Sequence, residues 1–262
     1  MSKSSSIEWT DATWNVAVGC TKVDADCKFC YMYRDSMKGT RYNPKVVRQT
    51  KGVFRLPLTL KTPSRIFVSS LTDFFHPDID SYRQEAWNII RACPQHTFQI
   101  LTKRPERILS KGILPPDWGE GWDHVWLGTS VGSSNGIWRL GNLACVPSKT
   151  RFISFEPLHE FITLKGLEPL LTHKYHWAII GGESGNETGQ YRYRPCKLDW
   201  IKYLMITLDD ECKIPVFIKQ LGTHIAMQFG LKDRHGRDMS EWNDSWLKVR
   251  EFPKSRKEGS NV

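Results

Sequence analysis

Arg65-Ile66-Phe67-Val68-Ser69-Ser70-Leu71-Thr72-Asp73, the segment Ser81 to Ala92, and Thr97-Phe98-Gln99-Ile100-Leu101-Thr102-Lys103-Arg104 follow one another in the chain. The first and last are short β-branched or aromatic runs that end in polar residues, and each reads as a buried strand. Between them, Tyr82, Trp87, Ile89 and Ile90 fall at helical spacing behind Ser81, a candidate N-cap. A strand, a helix and a strand in this order predict a parallel pair with a helical crossover.

The same grammar continues outward. Further strands are expected at Val125-Trp126-Leu127, Arg151-Phe152-Ile153, Trp177-Ala178-Ile179-Ile180 and Val216-Phe217-Ile218, with a second helix at Leu198 to Leu208. The fold class is therefore α/β, a partial (β/α)6 TIM-like barrel in one domain over residues 1–253, followed by a polar tail at 254–262. In such barrels ligands sit at the carboxyl ends of the strands. Here those ends carry Ser69 to Asp73, Thr102-Lys103-Arg104, Gly128-Thr129-Ser130, Ser154-Phe155-Glu156-Pro157, Gly181-Gly182-Glu183-Ser184-Gly185 and Lys219-Gln220. Small, hydroxylated and charged groups at six ends predict one chamber for a cofactor and a substrate.

No run reaches the roughly 18 apolar residues of a membrane span, and Met1 to Ser6 is polar, so no membrane is expected and a cytoplasmic place is. Seven cysteines form an odd set in a chain that needs no disulfide staples, which suits metal binding or buried thiols. A formal charge of +9 and a pI near 9.2 point to a polyanionic partner.

Cys20, Cys27 and Cys30 form a C-x6-C-x2-C pattern on a loop. Three thiolates can hold a 4Fe-4S cluster and leave one iron open for another ligand. The next cysteine is Cys93, so a closed zinc site would need a distant fourth ligand such as Cys196 or a histidine. Cys93, Cys145, Cys196 and Cys212 stand singly and read as ordinary thiols.

With an aromatic residue, Phe29, just before the last cysteine, this cluster resembles that of the radical S-adenosylmethionine superfamily. The first spacing departs from that superfamily's usual C-x3-C-x2-C by an insertion before Cys27. The chain is similar to the spore-photoproduct-lyase branch and to a phage-rich family sharing its opening, here Trp9-Thr10-Asp11-Ala12-Thr13-Trp14-Asn15. The resemblance implies a 4Fe-4S cluster on Cys20, Cys27 and Cys30, S-adenosyl-L-methionine as cofactor, and a one-electron reductant such as flavodoxin or ferredoxin. It further implies that Ser69, Lys103 and Ser130 bind the methionine moiety, with Tyr31 nearby. Gly182 and Glu183 are candidate cofactor or substrate contacts, and so is Glu156. Arg104 is a candidate phosphate contact.

The phage-type members imply an isomerase of thymidine hypermodification, converting N-linked glycyl-thymine in DNA to the C-linked form. Tyr191-Arg192-Tyr193-Arg194 and the abundant tryptophans suit either a nucleic-acid grip or ordinary core and rim positions. Photoproduct repair ranks second, because the lyase's cysteine hydrogen donor has no counterpart here: Val68 stands in its place. An RNA-modifying radical enzyme and a zinc-containing nucleic-acid-binding protein remain as alternatives.

Overall fold

The computed structural model describes residues 5–36 and 43–253; the expected tail lies outside them. Seven parallel strands form one sheet in the order β1 (Ala12–Trp14), β4 (Arg65–Val68), β5 (Thr97–Thr102), β6 (Val125–Ser130), β7 (Thr150–Leu158), β8 (Trp177–Gly182) and β9 (Val216–Gln220). Two short strands, β2 (Ala17–Val18) and β3 (Arg48–Gln49), pair antiparallel and bracket the cysteine loop. All six expected strands are present. The added one, β1, is too short for a strand pattern and was legible only as an aromatic stretch.

Side chains alternate along the strands, as the two-residue period requires. Ile66, Val68, Ile153, Phe155, Ala178, Ile180, Val216 and Ile218 share the larger core cluster, while Phe67, Phe152, Trp177, Ile179 and Phe217 share a second one with Trp9. That second cluster reveals the sheet's curvature. The Trp9 ring lies 4.6 Å from Phe67 on β4 and 6.2 Å from Trp177 on β8. Across a flat sheet those strands, four spacings apart, would be separated by about 19 Å. The sheet therefore curls around an aromatic plug into a half-barrel, with β1 and β9 as its edges.

The crossover helix α2 (Asp80–Arg91) follows a tight turn at Pro77–Ile79. Ser81 therefore lies within its first turn and does not cap it. The helix expected at Leu198 to Leu208 is α5 (Leu198–Met205), continued by a π-helical stretch at Ile206–Glu211. Four further helices are α1 (Tyr31–Ser36), α3 (Trp138–Ala144), α4 (Glu168–Lys174) and α6 (Thr223–Gln228). Among the described residues no helix is long and apolar enough to cross a membrane.

Burial lowers the affinity of His76, His124 and His235 for protons, with neighbouring arginines adding to the effect at His76 and His235. The unfolded chain then binds more protons than the folded one as pH falls below about 6.5. Their contribution to stability is present above that value and is lost below it. The urea midpoint is expected to be lower at pH 5.5 than at pH 7.5, with the gap narrowed in His124→Gln. An unchanged or reversed gap in the variant would refute this assignment.

Candidate functional site

A cavity of about 690 Å³ opens at the carboxyl ends of the strands. Its lining includes all three loop cysteines together with Tyr31, Ser69, Lys103, Ser130, Glu156 and Glu183. Trp9, Phe67 and Leu101 contribute apolar lining from the plug side. The curl thus brings together residues separated by most of the chain. Gly182 is not among the lining residues. A Cβ there would lie 2.2 Å from the carbonyl oxygen of Leu221, so its lack of a side chain serves a close backbone approach.

Cys20, Cys27 and Cys30 are free thiols of intermediate exposure. Cys27 ends a short turn at Ala25–Cys27, and the Cys30 carbonyl accepts hydrogen bonds from Tyr33 and Arg34 at the start of α1. Burial pushes the Cys20 thiol up to about 12, with the Asp73 charge adding and Arg104 opposing. Burial also raises Cys30, against the opposing charge of Lys103. Burial thus disfavours the thiolate form at both Cys20 and Cys30. Among the described residues no three His, Cys, Asp or Glu side chains are grouped so as to hold a metal ion. A polynuclear cluster takes each cysteine on a different iron, so it asks for a wider spread of sulfurs than a single tetrahedral ion does.

The loop is fastened to the barrel by three polar clasps. In the first, Asp26 is 3% exposed and accepts hydrogen bonds from Gly132 N (3.0 Å) and Ser133 Oγ (2.8 Å). His159 Nε2 lies 2.8 Å from it, and Arg139 Nη1 lies 3.3 Å away while Nη2 pairs with Asp24. Burial disfavours the charged form of Asp26, but the bonds from His159, Ser133 and Gly132 outweigh it and hold the carboxyl below its usual range. In the second, Arg104 Nη2 donates to Thr21 O and Oγ1 at 2.9 and 2.8 Å, with Nη1 3.6 Å from Asp73. In the third, Arg194 grips both oxygens of Glu183 at 2.6 to 2.9 Å and donates to Ala25 O at 2.8 Å.

These clasps change the reading of several residues. Arg104 engages the loop and Asp73, where sequence suggested a phosphate. Glu183 lines the cavity, yet its carboxylate is taken up by Arg194; of the aromatic-basic run, that arginine is accordingly turned to internal use. Asp26, Arg139 and His159 were missed. The insertion before Cys27 was the signal available for Asp26, because it places two aspartates in a loop otherwise defined by thiols. Nothing in the sequence around Arg139 marks it. Trp9, Trp14, Trp87, Trp118, Trp177 and Trp242 are buried, whereas Trp138 is 48% exposed, so much of the tryptophan content belongs to the core.

Facing the loop are the ends of β4, β5 and β6. Ser69 has φ 67°, a left-handed conformation that costs a non-glycine residue roughly 1–2 kcal/mol. Its hydroxyl is buried with no hydrogen-bond partner. Thr72 Oγ1, also in the cavity lining, is in the same state. Lys103 directs its backbone N–H to Asp73 at 2.9 Å, and its ammonium forms no ion pair among the described residues. The Tyr31 hydroxyl donates to Ser70 O, and Ser130 O accepts from Arg139 at 2.8 Å. Strain, an unpaired hydroxyl and a cation in one wall are the marks of a site shaped for a polar ligand.

Residues 4–250 match the model of one protein family, described as Protein of unknown function (DUF5131). No curated protein and no solved structure matches the chain.

Proposed function

We propose, for a chain that belongs to the DUF5131 family, that it is a radical S-adenosylmethionine enzyme acting on a modified base in DNA from a partial TIM-like barrel. The observation that carries this reading is the pairing of two walls in one cavity: three reduced cysteines on one, and the unpartnered Ser69 hydroxyl with the Lys103 cation on the other. Cys20, Cys27 and Cys30 would hold a 4Fe-4S cluster. Such a cluster, bound together with S-adenosyl-L-methionine and reduced by a flavodoxin or ferredoxin, would supply a 5′-deoxyadenosyl radical. Lys103 suits the cofactor's carboxylate, Ser69 offers it a hydroxyl, and Ser130 and Tyr31 flank them. Trp9, Phe67 and Leu101 exclude water from the plug side.

Isomerisation of N-linked to C-linked glycyl-thymine is the preferred reaction. Hydrogen abstraction from the glycyl carbon is favoured because the neighbouring nitrogen and carboxylate stabilise the resulting radical. Among the described residues the cavity lining includes no cysteine besides the three of the loop, which leaves a photoproduct-lyase reaction without its thiol donor. A base in duplex DNA must leave the stack to enter the cavity, at about a few kcal/mol. The net charge of +9 helps offset that by attracting the phosphates.

The reading is tested by digesting DNA from cells expressing the wild type or Cys30→Ala alongside the enzymes that make glycyl-thymine. The variant is expected to accumulate the N-linked nucleoside while the wild type yields the C-linked one. Identical nucleosides from both would overturn the reaction.

A further inference from the structure

At the cavity wall, Glu156 on β7 and Lys219 on β9 form an ion pair across the intervening strand, with Lys219 Nζ 2.5 Å from Glu156 Oε1. Both side chains line the cavity and are 19% and 17% exposed. Gly181 on β8 lies beneath the pair and leaves it room: a Cβ there would lie 3.3 Å from the Glu156 carboxyl carbon, a tight contact. The strand ladders are irregular at this point on both sides. Register shifts between Phe155 and Leu158 in the β7–β8 pairing and between Ile180 and Gly181 in the β8–β9 pairing. Breaks in register re-aim the side chains beside them.

An ion pair that only tied two strands together would need neither a cavity in front of it nor two breaks in register. Set at a cavity wall, it presents one anion and one cation side by side. An α-amino acid group presents the complementary ammonium and carboxylate at a similar separation. It can therefore insert so that its carboxylate meets Lys219 and its ammonium meets Glu156. The two arcs of the sheet then divide the work: the ends of β4, β5 and β6 carry Ser69, Lys103 and Ser130, and the ends of β7 to β9 carry the pair.

We propose that Glu156 and Lys219 form a subsite for an α-amino acid substituent on the substrate, a zwitterion carried on the base. This rests on the proposed function for the identity of the base. The test measures binding by fluorescence anisotropy, using an oligonucleotide that carries 5-(N-glycylmethyl)uracil and a second in which the glycyl carboxylate is a primary amide. Wild type is expected to bind the acid about tenfold more tightly than the amide. Lys219→Gln is expected to lose that preference while keeping its affinity for the amide, and Lys219→Arg to retain it.

Equal binding of both probes by wild type, binding of neither, or an undiminished preference in Lys219→Gln would each overturn the subsite. Should Lys219→Gln bind neither probe, Glu156→Gln decides: both probes carry the ammonium that Glu156 would meet, so weaker binding of both with the acid still preferred supports the subsite, and undiminished affinity for both opposes it. The radical reading fails separately, if reduced wild type forms no 5′-deoxyadenosine from the cofactor whatever the probes show.

Discussion

Cys27→Ala is expected to lose its iron and to form no 5′-deoxyadenosine, with its fold intact. The thiol is partly exposed at the end of a short turn whose backbone bonds, Cys27 N to Asp24 O and Cys30 N to Cys27 O, do not use the side chain. Removing a sulfur there should move stability by no more than about 0.5 kcal/mol. A three-thiolate site that loses one ligand cannot retain a cluster, so iron should fall from about four per chain to background. Cys145→Ala supplies the control, since that thiol is exposed and does not line the cavity. Iron analysis, deoxyadenosine chromatography and urea unfolding on both variants check the result. A Cys27→Ala protein that keeps its iron, or a Cys145→Ala protein that loses it, would contradict the assignment.

Arg139→Met should destabilise the chain by about 3–5 kcal/mol, the usual cost of removing one partner from a buried charge cluster. Arg139 is 1% exposed, pairs with Asp24 and Asp26, and donates to Ser130 O. Methionine fills similar space, so the loss comes from carboxylates left without their cation. Combining it with Asp26→Asn, which removes one of those charges, should cost less than the sum of the two single changes. Urea denaturation of the three variants measures this coupling. Strict additivity would mean that Arg139 and Asp26 act independently.

Period and punctuation carry the half-barrel in this sequence, which is why the strands from Arg65 to Gln220 are legible in it. Alternation along β4, β7, β8 and β9 also separates the plug face from the helix face. β1 escaped because its few residues pair with β4 only once the whole sheet exists. Likewise, the strand-end rule found Ser69, Lys103, Ser130, Glu156 and Glu183, all of which reach the cavity. The clasps did not show, because Asp26 with Arg139 and Glu183 with Arg194 are tertiary partnerships and leave no spacing signal. Arg194 is instructive: in sequence it belongs to a run suited to phosphates, and in the fold it bridges β8 to the cysteine loop. Glycine at 182 looked like room for a ligand and is room for the Leu221 backbone.

The proposed reaction rests on Cys20, Cys27 and Cys30 carrying a cluster that activates S-adenosylmethionine. The most direct test reconstitutes the wild-type chain with iron and sulfide without oxygen, then measures metal, sulfide and 5′-deoxyadenosine release under a strong reductant. About four irons and four sulfides per chain, with deoxyadenosine formed, is the result expected. Zinc alone, with the cofactor left uncleaved, would contradict it and make the cysteine loop a structural site.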